Sequence, residues 1–504
     1  MHANPGTAPR PSAIVRRQRL IKRLKSVLAP GIVVVTAPAA FGKSTLIADY
    51  LETVGAPSVW VHLGPEDNDH RHFQQHISRL FQSCLKHEKG LSQTPGTRHA
   101  SIPAAKAADL VDHLPVDLRI IFDGCHHLAA SPRTVQLIET VLSVRPPQGC
   151  VYLLSRETLP IKMQHRRMQR QALFLTDIEL AFTEAEIDAY FLTIHGIALD
   201  AHQRRQIHDL TDGWAGGLVL VSEELHRRPG APDLILNAAT LSDRIQAEAF
   251  HYFEEAIYRQ QSRAMQNFLV SAAQLDTVPA DLMRDHLGTN EADQLFDEAV
   301  RRHLFLQIIT ADHDGWAFRF NPLFRAFLRF RSPEILSPER ARGLLREAAR
   351  RCQAGGDLET AVPYLLRAGE IGTALRDITA IGLQLSFAGR FTEIAHWTAM
   401  LPASVVAEDP WIGLLHAMVY RIRGGRRTIS ELQAVRRAFV HADQVRGQML
   451  ALAYMIETAV FVGYDPAARR QWVAEAEDLL NQTRHLSHFT YAKALLWQQI
   501  GLGS

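Results

Sequence analysis

The sequence predicts an α/β domain built on a parallel sheet, followed by a mainly helical chain that ends in tetratricopeptide-like repeats. Three observations carry this expectation. Runs 31–37 (GIVVVTA), 58–62 (SVWVH), 118–123 (LRIIFD) and 150–155 (CVYLLS) are short, rich in β-branched residues, and alternate with stretches of helical spacing, as in a parallel sheet covered on both faces. From about residue 178 helix signals replace strand signals. Beyond residue 336, GDLETAVPYLL from Gly356 and GRFTEIAHWTAML from Gly389 stand 33 positions apart, pairing Leu358 with Phe391, Ala361 with Ile394 and Tyr364 with Trp397.

The bulk properties bound the answer without naming a partner. At 504 residues the chain exceeds what one core organises, so about three or four domains are expected. A formal charge of +2 points to neither nucleic acid nor membrane. The longest apolar run, Gly31 to Phe41, is well short of the ~20 residues a membrane span needs. Cys84, Cys125, Cys150 and Cys352 form no CxxC pair, and free thiols in a reduced, cytoplasmic interior are the simplest account.

Taken in order, the N-terminal stretch RRQRLIKRLKSVL is basic, with Asp49 the first acidic residue, which a transit peptide or a nucleic-acid arm would also show. Its Leu20, Ile21, Leu24 and Leu28 share one helical face, which favours an entry helix of the first domain. After the sheet, Thr183 and Glu186 form a capping box, and TDGWAGGLVLVSEEL reads as another helix. Within LFLQIITADHDGWAFRFNPLF, residues 304–324, two β-rich runs flank an Asp-Gly turn. Helices followed by such a hairpin suit a winged-helix domain, and a generic α+β unit would look similar.

The chemistry concentrates in TAPAAFGKST, residues 36–45. The turn from Ala37 through Pro38, Ala39, Ala40 and Phe41 to Gly42 has the length of a phosphate-binding loop, in which backbone N–H groups and the next helix N-terminus face an anion. Gly42 allows close backbone approach, Lys43 reaches the β and γ oxygens, and the Ser44 hydroxyl can hold Mg²⁺. Ala37 stands where the general pattern has glycine, and Ala40 stands where a left-handed backbone is common. Asp123, ending a neighbouring strand, supplies the carboxylate that orients the Mg²⁺ shell; the bland reading is a turn cap. Gly124 occupies the position where many ATPases carry a second acid, so slow or absent hydrolysis is expected. Arg156 leaves the carboxyl edge of the sheet, either to read a γ-phosphate or as one more exposed arginine. His70, His72 and His76, and Cys125-His126-His127, fix no complete ligand set, and zinc is not expected.

With these pieces placed, the chain resembles the STAND-class signalling ATPases of the MalT-like type among LuxR-family regulators. TAPAAFGKSTL, VWVHLGPEDNDHRHF, IIFDGCHHL, LLSRETLP, LFLTDIELAFTEAEIDAYF, TDGWAGGLVL and FRFNPLFRAFLR follow in family order over about residues 12 to 330. The resemblance implies a switch that binds ATP or ADP with Mg²⁺. In it Lys43, Ser44 and Thr45 hold phosphate and metal, Asp123 is the metal-side acid, Arg156 the sensor arginine, and Asn321 replaces a histidine near the nucleotide. It further implies an inducer or protein partner at the helical repeats and self-association in the ATP form. The family's DNA-binding helix-turn-helix has no counterpart in the last hundred residues, so direct DNA contact is not expected of this chain. The expected organisation is a nucleotide-binding domain over 1–175, a helical lid over 176–240, a winged-helix-like domain over 241–335, and an incomplete repeat region over 336–504. The alternative is an interaction scaffold whose nucleotide site has decayed; a conventional ATP-consuming enzyme ranks below both, because no second substrate pocket is evident.

Overall fold

The computed structural model describes residues 14–88, 114–128, 131–143, 145–161, 171–227, 243–311, 315–420, 425–484 and 490–503. The chain divides into two compact units, 1–335 and 336–504.

The first unit opens on a five-stranded parallel sheet of β1 (Gly31–Thr36), β2 (Ser58–His62), β3 (Arg119–Asp123), β4 (Cys150–Ser155) and β5 (Ala172–Thr176), in the order β2-β3-β4-β1-β5. Four of these are the strands the sequence predicts. The fifth, ALFLT, adds an edge beside β1. All six residues of β1 and of β4 are buried, as strands covered on both faces must be. One face packs Ile32, Val34, Ile120, Phe122, Val151 and Leu153 against Phe73, Ile77 and Phe81 of the helix His70–Glu88, and against Ile138 and Val141 of Pro132–Ser143. Each such side chain stabilises the domain by about 1.5–3 kcal/mol.

The basic entry segment forms the helix Gln18–Lys25, burying Leu20, Ile21 and Leu24. Leu28 does not join them: the helix ends at Lys25, two residues further on the chain is turning toward Pro30, and Leu28 is 70% exposed. Arg17, immediately before the helix, is buried instead. Its guanidinium donates to Ala181 O at 2.9 Å and to Glu186 at 3.1 Å, and lies 4.0 Å from the Phe182 ring centre. The basic run is therefore partly a clasp between the entry helix and the segment after β5.

Thr183 and Glu186 form the capping box of the helix Glu184–His195, and the helices Ala201–Thr211 and Ala215–Arg227 follow. The helices Arg263–Ala272, Ala280–Leu287 and Thr289–Arg301 then lead into the antiparallel hairpin β7 (Leu306–Ala311) and β8 (Trp316–Phe320), with β6 (Val278–Pro279) paired to β8. This is a winged helix. Its core is aromatic, with Phe296 stacked 4.3 Å from Trp316 and Phe268 and Phe318 beside them. Residues 312–314, most of the expected turn, lie outside the described residues.

The second unit is helical throughout its described residues, from Pro338–Ala354 and Leu358–Ala368 through Ile371–Phe387 and Phe391–Met400 to Thr490–Gly503. The 33-residue register is structural. Leu358 and Phe391 each open the second helix of a hairpin, each preceded by a left-handed glycine, Gly356 (φ 78) and Gly389 (φ 74). Ala361 and Ile394 are fully buried, as are Tyr364 and Trp397 to within 3%.

Candidate functional site

The sheet order brings the predicted residues to one edge. Because β4 lies between β1 and β3, the carboxyl ends of three adjacent strands carry the loop after Thr36, then Arg156, then Asp123. Strands two places apart are about 10 Å distant, a gap one side chain has to bridge. Ser44 does so: in the first turn of the helix Lys43–Val54, its Oγ donates to Asp123 Oδ2 at 2.7 Å.

Between these groups lies a cleft of about 420 Å³, lined by Ala39, Ala40, Gly42, Lys43, Ser44 and Thr45 on the loop side. Asp123, Arg156, His62, His126 and His127 line the opposite side. The volume falls within the range of small-molecule sites, about 300–1,000 Å³. Of the predicted residues, four do not line it. Ala37 is fully buried and its N–H donates to Ser155 O at 3.2 Å, fixing the loop to β4. Pro38 contributes its carbonyl to Lys43, and Phe41 turns away to pack 5.7 Å from Phe305.

Asn321 is the fourth to fall outside. Its Nδ2 donates to Thr211 O at 2.7 Å, while its Oδ1 accepts from Leu323 N (3.1 Å) and Phe324 N (3.3 Å). Asn321 caps the helix Pro322–Ile335, with the following Pro322 at a position where no N–H is needed. Its polar atoms are occupied by that role, away from the cleft.

The loop backbone is left-handed at Ala40 (φ 57) and at Gly42 (φ 78). Both conformations suit glycine; at position 40 an alanine bears the strain. Two bonds brace that turn from outside the sheet: Gly216 N donates to Ala40 O at 3.0 Å, and the Trp214 indole donates to Ala39 O at 3.3 Å. Sequence reasoning identified TDGWAGG as a helix start and missed this contact. Its signal was the paired glycines: a Cβ on Gly216 would come within 3.0 Å of the Ala40 Cβ.

The electrostatics of the cleft are unbalanced toward positive charge. The Lys43 Nζ donates to the loop's own carbonyls, Ala37 O (2.8 Å) and Pro38 O (2.7 Å). Burial first, and repulsion from Arg156 second, hold its pKa down to about 7, against an attraction from Asp123. No hydrogen bond or ion pair ties the Arg156 guanidinium to the described residues. Burial likewise pushes His126 down to about 3, and lowers His127, so both imidazoles are neutral at physiological pH. A polyanion in the cleft would offset all these penalties together. The donor set also fits a hard cation: the Ser44 hydroxyl and the Asp123 carboxylate are adjoining oxygen ligands of the kind Mg²⁺ takes.

Gly124 is required by the backbone. It has φ 96, and a Cβ there would meet Leu63 O at 2.6 Å, so an acid beside Asp123 is excluded by the turn itself. The other histidines have a visible role: His72 and His76 both direct Nδ1 to Oδ1 of the buried Asp67, at 3.2 and 2.9 Å.

A second, apolar hollow of about 150 Å³ shares Gly42 and Thr45 with the cleft and is otherwise walled by Ile14, Val15, Leu46, Phe182, Tyr190 and Leu218, among others. Sequence reasoning passed over Ile14 and Val15, an apolar pair just ahead of the basic helix.

Residues 253–340 match the MalT winged helix domain. The chain is 26% identical over 375 residues to the HTH-type transcriptional regulator MalT of Cronobacter sakazakii, an alignment covering 72% of this chain and 40% of that protein. It thus spans well under half the length of this curated relative. Among solved structures it is similar to a Walker-type ATPase of Pyrococcus abyssi (TM-score 0.46, 14% identity, 65% of this chain and 99% of that one). It is also similar to a STAND protein with a tetratricopeptide repeat sensor from Pyrococcus horikoshii (TM-score 0.33, 12% identity, 98% and 81%). Likenesses this loose assign no role to any residue.

Proposed function

We propose that this MalT-like chain is a cytoplasmic regulatory switch that binds ATP or ADP and changes shape with the nucleotide's phosphate number. The observation that carries the reading is the Lys43 ammonium, buried beside Arg156 and short of counter-charge, at the start of a helix whose first N–H groups face the same cleft. A di- or triphosphate supplies the missing charge.

In this reading the N–H groups of Ala39 to Thr45 and the Lys43 ammonium hold the β-phosphate, and Arg156 meets a γ-phosphate at the cleft's far side. Ser44 and Asp123 would hold Mg²⁺, whose contribution is to neutralise charge between phosphate oxygens. The base enters the hollow between Ile14, Val15, Tyr190 and Leu218, which adjoins the cleft at Gly42 and Thr45. The backbone's exclusion of an acid at position 124 supports holding a nucleotide over turning it over rapidly. The two bonds from Trp214 and Gly216 give the nucleotide loop a direct mechanical hold on the helix Ala215–Arg227.

Four functional parts follow: nucleotide binding over 1–175, a lid over 176–240, the winged helix over 241–335, and repeats over 336–504 that receive an inducer or protein partner. Self-association in the ATP form belongs to the same proposal. The test is calorimetric titration of ADP and ATP, with Mg²⁺, into the chain and its Lys43→Ala variant. Micromolar binding lost in the variant supports the switch; no binding by the unaltered chain up to millimolar nucleotide would leave the interaction scaffold as the better reading.

A further inference from the structure

Residues 301–305, at the junction between the helix Thr289–Arg301 and β7, touch both shoulders of the nucleotide cleft without lining it. On one shoulder, Arg156 is followed by Glu157 and Thr158. Thr158 N donates to Arg301 O at 2.9 Å, and its Oγ1 lies 3.3 Å from His303 Nε2. The Glu157 carboxylate stands 3.8 Å from Arg301 and 4.0 Å from Arg302. The other ring nitrogen of His303, Nδ1, is 3.4 Å from Asp177 Oδ1, in the segment after β5. One imidazole therefore links the exits of β4 and β5, the two strands that flank the phosphate-loop strand. Two residues later Phe305 packs on Phe41 of the loop (5.7 Å) and on Trp214 (5.3 Å), which itself donates to the loop.

The junction is under backbone strain. His303 (φ 49) and Phe305 (φ 55) are both left-handed, and neither is glycine. Such conformations persist only where the surroundings over-determine them, and they concentrate in switch segments. Here the surroundings are the contacts just named. Breaking them lets two strained residues relax.

Resting on the nucleotide reading, we propose that His303 is a positioning residue that clamps the Arg156 segment to the winged helix, and that the clamp is what a third phosphate opens. Arg156 lines the same cleft as the loop, is tied to no described partner and is repelled by Lys43. A diphosphate, held at Lys43, leaves it there. A third phosphate draws the guanidinium inward, and Thr158, two residues along the same stiff turn, is pulled from Arg301 and His303. Ser155 Oγ braces that turn, donating to Glu157 O and accepting from Glu157 N, so displacement at Arg156 is transmitted to Thr158.

The test is the ratio of ATP to ADP affinity in His303→Asn, where asparagine tolerates the left-handed backbone but lacks the bridging ring. Thr158→Val, which replaces the hydroxyl with a methyl group and keeps the backbone bond to Arg301, is the milder companion. The clamp predicts that ATP binding tightens about fivefold or more in His303→Asn while ADP affinity stays within about twofold, the size of a typical coupling. An unchanged ratio in both variants, with thermal melting intact, overturns the clamp while leaving nucleotide binding standing. Failure of the unaltered chain to bind either nucleotide removes the underlying reading instead.

Discussion

Replacing Ala40 by glycine should stabilise the first unit and leave nucleotide affinity nearly untouched. Ala40 is exposed and sits at φ 57. An L-residue there costs about 1–2 kcal/mol, which glycine does not bear. Glycine also loosens the unfolded chain, returning about 0.4–1 kcal/mol of that gain. The net is about 0.5–1 kcal/mol of stabilisation, read as a rise of about 1–3 °C in the melting transition of a domain this size. Because the left-handed turn is already formed, and held by Gly216 N on Ala40 O at 3.0 Å, binding has no further strain to impose. The ADP dissociation constant should therefore change by less than about twofold, against the tenfold that ~1.4 kcal/mol would produce. Differential scanning fluorimetry and calorimetric titration measure the two quantities separately. A lower melting temperature in Ala40→Gly, or a tenfold gain in affinity, would show that the turn becomes left-handed only around a ligand and refute the reasoning.

Two further outcomes follow from the same geometry. Gly124→Asp should lower the melting temperature by several degrees and fail to create ATP turnover in a phosphate-release assay, since its Cβ meets Leu63 O at 2.6 Å. Nucleotide affinity should fall as pH rises above about 7: the free Lys43 titrates there, the bound one is raised by the phosphates, and binding between the two values takes up a proton. Titrations above pH 7 in buffers of different ionisation heat would reveal that uptake, and an affinity flat from pH 7 to 9 would contradict it.

Much of the first unit was legible because its signals are local. Four strands with buried centres announce themselves by short apolar runs that include β-branched residues, and the loop by residues whose spacing the phosphate geometry dictates. ALFLT escaped because five residues of mixed burial, at a sheet edge, resemble the start of the helix region that follows. Leu28 was assigned to a helical face that ends at Lys25, since periodicity continues past the point where Ser26 stops the helix. Asn321 falls outside the cleft because a residue's place in a motif does not say which way its amide faces, and the helix start at Pro322 takes that amide. The bonds from Trp214 and Gly216 to the loop, and the bridge through His303, join residues more than a hundred positions apart, so no local spacing brings them together. No side-chain pattern encodes those.

The central claim is that Ala37 to Ser44 folds around a polyphosphate, and displacement of a fluorescent ADP analogue tests it most directly. The account predicts saturable binding by the unaltered chain, competed by ADP and ATP but not by AMP, and lost in Lys43→Ala with its melting profile preserved. Equal binding by both chains, or none by either, would contradict it.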